Sequence, residues 1–379
     1  MKESTIFTHT GFTKINGNTV FLFHNGNIGA DNENIITDLE YGELKMSRYC
    51  MTNKEFDAKE AFERELSLLK VTNPSIIFPL LATTFISPLY TLLQEEDIHP
   101  NYVLLVLGKT GVLKSSIVAV LLSHFGNFDR DNFPATFRDT LNTIEKRASV
   151  CKDCLFVIDD YKPEARETEQ EKIMEQIFAM FGDRVGRGRM KPDGTLRKSC
   201  SAQGMGIVTG ERMPKVPQGR IARAMKVEIK KGDINLDELT KLQQNKEQLA
   251  FVMKKYIKWI IDNDETIRRK SKEILNTYST TTSHLRTAEY VSILMIGIVF
   301  WLDFLEENNA INSTQKEDLK SQAYQTLIEA GNAMTLSIEE ENPIEIFFDT
   351  ISELISTGRI YFTDKQTGVA ENVSSGKHV

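Results

Sequence analysis

Several groups of residues in this chain carry side chains suited to phosphate chemistry. The first is Gly108-Lys109-Thr110-Gly111-Val112-Leu113-Lys114-Ser115, which follows an apolar run and opens a helical pattern. A glycine loop in that setting turns backbone N–H groups toward a phosphate, and the helix N-terminus adds its positive dipole end. Lys114 would meet the β- and γ-phosphates of a nucleotide and Ser115 would ligate Mg²⁺. The candidate nucleotide contacts are Gly108, Lys109, Thr110, Gly111, Val112, Leu113, Lys114, Ser115 and Ser116. Leu113 stands where the pattern G-x-x-x-x-G-K-[ST] has its second glycine, so its side chain could crowd the phosphates.

Downstream, Leu155-Phe156-Val157-Ile158 runs into Asp159-Asp160. Carboxylates at the C-terminal end of a buried strand lie where parallel sheets collect ligands. Asp159 would join the Mg²⁺ shell, and Asp160 would orient an attacking water. Residues 183–198 read as a hairpin turning at Pro192-Asp193-Gly194 and crowded with Arg184, Arg187, Arg189, Lys191, Arg197 and Lys198. In an acidic chain such a cluster points to nucleic-acid phosphates, with a solvated hairpin or a subunit contact as the alternative. Thr209 ends a further short apolar run, where its hydroxyl would sense a phosphate or place water. Arg220 and Arg223 precede a last strand, as a clamp on phosphoryl charge or as surface ion pairs.

The elements that must position these groups follow from hydrophobic spacing. Residues 6–50 are β-rich, with strands at 12–15 and 19–24 and turns at Asn16-Gly17-Asn18 and Asn25-Gly26-Asn27. Residues 53–69 predict an amphipathic helix burying Ala58, Phe62, Leu66 and Leu69, and residues 76–93 an apolar helix broken or kinked by Pro79 and Pro88. Residues 102–107 predict a strand and 115–125 a helix, with further helices at 140–150 and 164–181 and strands at 204–208 and 225–229. Beyond 233 the pattern is helical at 236–261, 266–277, across 291–302 and at 315–336. A helix at 343–356 and a strand at 359–363 close the chain. The expected division is a β-rich segment at 1–52, a helical connector at 53–98, a nucleotide core at 99–233, a helical lid at 234–338 and a small C-terminal element at 339–379.

Composition narrows the class. The 379 residues carry a net charge of −7, which argues against a protein that coats nucleic acid with its whole surface and leaves room for a local basic channel. The first residues lack a secretory h-region, and the apolar run 291–302 is too short to span a bilayer, so no membrane role and a cytoplasmic setting are expected. Cys151-Lys152-Asp153-Cys154 has metal-like spacing but no second ligand pair, which favours reduced structural thiols.

The pieces GKTGVLKSS, HFGNFDRDNFPATF, LFVIDDYKP, GRGRMKPDGTLRK, GIVTGERMP and ARAMKVEI, in that order, resemble the ATPase module of a helicase-like family. That family has long been labelled as of unknown function and is found with primase modules on bacterial plasmids, phages and integrated elements. The MCM-like helicases of staphylococcal cassette chromosomes are functional relatives. HTGFTKINGNTVFLFHNGNIGA resembles the family's β segment and HLRTAEYVSILMIG its lid helix, so the likeness covers about residues 9–360. It implies an α/β fold of the AAA+ type, a P-loop ATPase core with a β-rich N-terminal segment and a helical C-terminal lid. It also implies tolerance of a bulky residue before the lysine, and ATP and Mg²⁺ as cofactors.

Carried over by position, Lys114 and Ser115 would be the phosphate and Mg²⁺ contacts, Asp159 and Asp160 the acidic pair, Thr209 the sensor, and Arg223 or Arg220 a finger given in trans. The resemblance further implies a homo-oligomeric ring, expected as a hexamer. Arg189, Lys191, Arg197 and Lys198 would grip single-stranded DNA in its pore, and a primase or replication initiator would be a partner. No primase module precedes the β segment and the chain stops soon after the lid, so a short member or part of a longer protein is expected. The expected activity is an ATP-dependent DNA helicase or translocase serving a mobile element; the alternative is an ATPase that loads or remodels a protein partner.

Overall fold

The computed structural model describes residues 5–30, 35–40, 46–162, 167–184, 201–221, 223–279, 285–339, 347, 350–352, 354–355, 357 and 359–360. The chain groups into two compact units, Met1–Met334 and Thr335–Val379. In the N-terminal stretch, β1 (Thr5–Phe7), β2 (Gly11–Ile15), β3 (Asn18–Phe23), β4 (Gly26–Ile28) and β5 (Ile35–Thr37) form two small sheets. β2, β3 and β4 are antiparallel neighbours joined at the predicted turns, and β1 pairs in parallel with β5.

Three helices follow. α1 (Ala58–Leu66) starts later than the sequence pattern because Asp57 caps it, accepting from the Glu60 N–H. It buries Ala61, Phe62 and Glu65, whereas Ala58, Leu66 and Leu69 are only half-buried. A 3-10 turn at Ser67–Lys70 changes the helical phase beyond it. α2 (Pro74–Ile86) accommodates Pro79, and Pro88 sits in a 3-10 turn before α3 (Tyr90–Glu95), so the prolines reshape the apolar rod without stopping it. Among the described helices, Pro74–Glu95 is therefore long and apolar enough to cross a membrane, which the sequence pattern had not suggested. In this structure 94 % of its apolar window is buried inside the protein, as in a core helix.

Strands and helices then alternate: β6 (Val103–Leu107), α4 (Lys114–Leu122), β7 (Ala135–Thr136), α5 (Leu141–Val150), β8 (Leu155–Tyr161), α6 (Glu167–Gly182), β9 (Met205–Gly210), α7 (Gln218–Ile221) and β10 (Ala224–Glu228). Their five strands make one parallel sheet in the order β10-β6-β9-β8-β7. Every residue of β6 is buried, as the continuous run Val103–Leu107 requires of a strand covered on both faces. The order places β9 between β6 and β8. The glycine loop and the acidic strand end are thus separated by one strand, and Thr209 lies on that strand.

The remaining described helices are α8 (Leu236–Gln244), α9 (Lys246–Asp262), α10 (Asp264–Tyr278), α11 (Leu285–Glu307) and α12 (Ser313–Glu339). The single helix predicted over 236–261 is split at Asn245, which ends α8 and opens α9. α9 packs on α1 and α11 packs on α2, so these helices enclose the apolar rod. Phe85 lies at the centre, its ring 5.1 Å from Tyr256, 5.4 Å from His124 and 5.6 Å from Trp301. The predicted helix at 343–356 and strand at 359–363 lie largely outside the described residues. Cys151 and Cys154 are free, buried thiols, in line with a structural role.

A buried carboxylate ties the N-terminal sheet to the core. Asp153 Oδ2 accepts from the Phe12 N–H at 2.8 Å, and Oδ1 accepts from the Thr91 N–H at 2.8 Å. Burial pushes the Asp153 carboxyl up to about 6. A folded value above the unfolded one means that its stabilising share is complete below about pH 4 and is lost as pH rises through about 6, a span of about 3 kcal/mol. Asp153→Asn turns an amide N–H₂ toward one of the two backbone donors, and should cost about 1–3 kcal/mol at pH 5 in denaturant unfolding. That gap should narrow by pH 7, where the native side chain is ionised; an equal gap at both pH values would contradict the raised pKa.

Candidate nucleotide-binding site

The site is built where β6, β8 and β9 end. After Leu107 the chain turns at Gly108, whose φ is +156° and where a Cβ would lie 2.2 Å from the Ile229 carbonyl oxygen, so only glycine fits. Leu113, which replaces the second glycine of the motif, adopts φ 69° and ψ 21° as the residue that opens α4. A left-handed conformation at a non-glycine residue costs roughly 1–2 kcal/mol. The loop thus holds a glycine-type backbone at Leu113 without a glycine. Next to it, the Lys114 ammonium is buried and donates to the carbonyls of Gly108 (2.5 Å) and Lys109 (3.0 Å). Burial lowers its pKa and Glu211 acts against that shift.

The acidic strand carries a register break. β8 and β9 pair evenly from Leu155↔Met205 to Ile158↔Val208, then Tyr161 faces Gly210, so Asp159 and Asp160 together stand opposite Thr209. Neighbouring strand residues ordinarily face opposite sides of a sheet, and a bulge re-aims one of them. Asp160 supplies it, with φ 71°, and both carboxylates line one cleft of about 310 Å³ with Lys114, Ser115 and Thr209. Asp159 Oδ1 accepts from Ser115 Oγ at 2.8 Å and from Thr209 Oγ1 at 2.5 Å, while the Asp160 N–H donates to Thr209 Oγ1 at 3.1 Å. Burial raises the Asp159 pKa and the two hydroxyls oppose that rise.

Two residues that the sequence reading left without a role complete the cleft. Lys162 Nζ lies 3.0 Å from Asp160 Oδ1 and 3.5 Å from Glu211 Oε1, and Asp160 raises the lysine's pKa. Glu211 also accepts from the Thr110 hydroxyl. Both sit just past the C-terminal ends of parallel strands, and the rule that ligands gather there could have singled them out. A second cleft of about 800 Å³ adjoins the loop, lined by Val112, Met213, Ile229 and Lys230 among others.

Other sequence candidates lie elsewhere. Arg220 and Arg223 precede β10, whose Ala224 pairs with Val103 and Glu228 with Leu107, so they flank the end of the sheet opposite the glycine loop. Five strand residues at about 3.3 Å each set the start of β10 about 16 Å from the loop end of the sheet. Both arginines bind Asp183. Arg184, counted from the sequence with the phosphate-facing basic cluster, is instead anchored inward. It donates to the carbonyls of Pro100 (2.6 Å) and Gly204 (2.9 Å) and lies 4.5 Å over the Tyr90 ring. Burial lowers its pKa. Arg189, Lys191, Arg197 and Lys198 lie outside the described residues.

Three comparisons with known proteins bear on this arrangement. No curated protein matches the chain. Among solved structures, an active helicase, Cch of SCCmec type IV, is similar over 98 % of this chain and 67 % of its own, at 12 % identity and a TM-score of 0.61. At that identity the likeness concerns the fold. A JCV helicase (12 % identity, 71 % of this chain, 73 % of that one, TM-score 0.29) and a putative ATPase from Cytophaga hutchinsonii (12 %, 70 %, 86 %, 0.28) are too distant globally to add to it. The family described as a domain of unknown function (DUF927) matches residues 1–201. Since the match takes in more than half of the 379 residues, with the glycine loop and both aspartates, the chain belongs to the DUF927 family, in keeping with the resemblance carried by its motifs.

Proposed function

We propose that this chain is the ATP-hydrolysing core of a DNA helicase or translocase of the AAA+ type, working as a ring on single-stranded DNA. The observation that carries the reading is the convergence of Ser115 and Thr209 on Asp159, beside a buried Lys114 whose hydrogen-bond partners are two loop carbonyls. Hydroxyl and carboxylate oxygens suit a hard divalent cation, and an ammonium held against a glycine loop at the start of a helix suits phosphate oxygens. Ser115 and Asp159 would hold Mg²⁺, which when bound offsets the charge of the phosphates. Lys114 would bind the β- and γ-phosphates, with Gly108, Lys109, Thr110, Gly111, Val112, Leu113 and Ser116 forming the cradle. The larger adjoining cleft has room for the nucleoside.

Asp160 is the candidate for orienting water, and Lys162 pairs with it at 3.0 Å. Exchange of Lys162 from Asp160 to a phosphate would free the carboxylate to accept a proton. Thr209, hydrogen-bonded to Asp159 and to the Asp160 backbone, links both carboxylates to one strand end. The strand that carries Thr209 lies between the loop strand and the acidic strand, and this order supports the AAA+ type. The placement of Arg220 and Arg223 at the end of the sheet opposite their own loop supports their service to a neighbouring subunit, hence a ring, for which we propose six copies. Arg189, Lys191, Arg197 and Lys198 would hold the DNA backbone without reading sequence. We further propose the five-part division at 1–52, 53–98, 99–233, 234–338 and 339–379, with the fourth part as lid, service to a mobile element, and a primase or initiator as partner.

Phosphate release with ATP and Mg²⁺, measured without nucleic acid and with single-stranded or duplex DNA, tests the reading. Stimulation by single strands supports it; hydrolysis indifferent to DNA would favour an ATPase acting on a protein partner. Lys114→Ala should abolish nucleotide binding, whereas Asp160→Asn should bind ATP with near-native affinity and lose about 100-fold or more in turnover. Parallel loss of binding in both variants would contradict the separate roles. Leu113→Gly should keep or tighten nucleotide binding and raise stability by up to about 1 kcal/mol, because it relieves left-handed strain; loss of binding in a calorimetric titration would show that the leucine side chain itself makes the site. Replacing Lys191, Arg197 and Lys198 together with alanine should weaken DNA binding and lower the slope of its salt dependence by about 2–3, with basal ATPase kept. An unchanged slope would remove these residues from the DNA contact.

A further inference from the structure

The C-terminal end of α6 carries contacts that the nucleotide site does not use. Asp183 engages an arginine with each carboxylate oxygen: Oδ2 accepts from Arg220 Nη1 and Oδ1 pairs with Arg223 Nε. Glu175, earlier on α6, lies 3.8 Å from Arg220 Nε. Arg223 is fixed a second time, by Nη1 donating to the Gly219 carbonyl at 2.6 Å. Its stem runs over Gly182, where an added Cβ would lie 2.6 Å from Arg223 Cβ and Cδ. Glycine at that position gives the arginine its path. The two guanidinium-bearing side chains nevertheless keep 30 % and 27 % of their surface exposed.

The residue after Asp183 fixes the backbone beneath it. Arg184 donates to the carbonyls of Pro100, Ala202 and Gly204, which lead into β6 and β9, and stacks on Tyr90. Asp183 therefore stands on an anchored turn, with two arginines in a forked charge-assisted arrangement. Partly exposed ion pairs of this kind add little to stability. What they add is orientation, because a long side chain already held in one rotamer loses less entropy when it meets a ligand.

We infer that Asp183 is a positioning residue that presents Arg220 and Arg223 to a phosphate held by a neighbouring copy of this chain. The inference rests on the nucleotide-site reading above. Its geometry requires a second copy, since the arginines flank the end of the sheet opposite their own loop.

Phosphate release by Asp183→Asn, with nucleotide affinity measured in parallel, tests it. Turnover should fall about 10- to 100-fold, less than the 10³ or more typical of losing such an arginine outright, with affinity unchanged. Asp183→Glu should restore part of the rate. Mixing Asp183→Asn with Lys114→Ala protein should restore turnover beyond the sum of the two alone, because Lys114→Ala subunits present intact arginines to subunits that still bind ATP. Wild-type or faster turnover in Asp183→Asn, joint loss of affinity and turnover, or no recovery on mixing would each overturn the inference while leaving the nucleotide site standing. A wild-type protein that releases no phosphate would remove the nucleotide reading, and this inference with it.

Discussion

One carboxylate oxygen organises the site. Asp159 Oδ1 accepts from Ser115, at the start of α4, and from Thr209, at the end of β9. Three segments of chain that are distant in sequence are therefore locked at one point. The lock depends on two features of the backbone. The strand order puts β9 between the loop strand and the acidic strand, so the threonine can reach across. The bulge at Asp159–Asp160 brings both carboxylates to one cleft, where an even strand would send them to opposite faces. Burial would on its own make an ionised Asp159 unfavourable, and the two hydroxyls offset part of that.

The strands and loop that carry the candidate site were legible in the sequence because their signals are local. The apolar run 103–107, the glycines before Lys114-Ser115 and the strand ending in Asp159-Asp160 each report on their own conformation. The hairpin at Asn16–Gly17 was legible for the same reason. What the sequence could not give depends on contacts between distant segments. Lys162 and Glu211 look like ordinary surface charges until β8 and β9 pair. Arg184 reads as one more cation of a basic run, yet Tyr90 and the carbonyls of Pro100 and Gly204 draw it inward. Helix ends were misplaced where a cap decided them: Asp57 delays α1, and Asn245 divides 236–261.

Leu113 shows how far a motif can depart from its pattern while its backbone is kept. Positive φ at that position is what the second glycine normally supplies, and here a leucine adopts it at roughly 1–2 kcal/mol. Such strain persists only where the surroundings determine the conformation. Gly108 pressed against Ile229, and Lys114 folded onto the loop carbonyls, provide those surroundings. Farther back, the buried set of Glu65, His124 and Trp301 joins the far end of the same helical segment to α1 and α11. The loop is held from both ends of the helix that follows it.

The most direct test of the central claim is the metal dependence of nucleotide binding. ATP affinity would be measured by calorimetry with Mg²⁺ and with a chelator, in the wild type and in Asp159→Asn. The account predicts tighter binding with Mg²⁺ in the wild type and loss of that difference in Asp159→Asn, with chelator-state binding through Lys114 and the loop retained. Wild-type binding indifferent to Mg²⁺, or an Asp159→Asn protein that keeps the full metal effect, would contradict a metal-assisted phosphate site centred on Asp159.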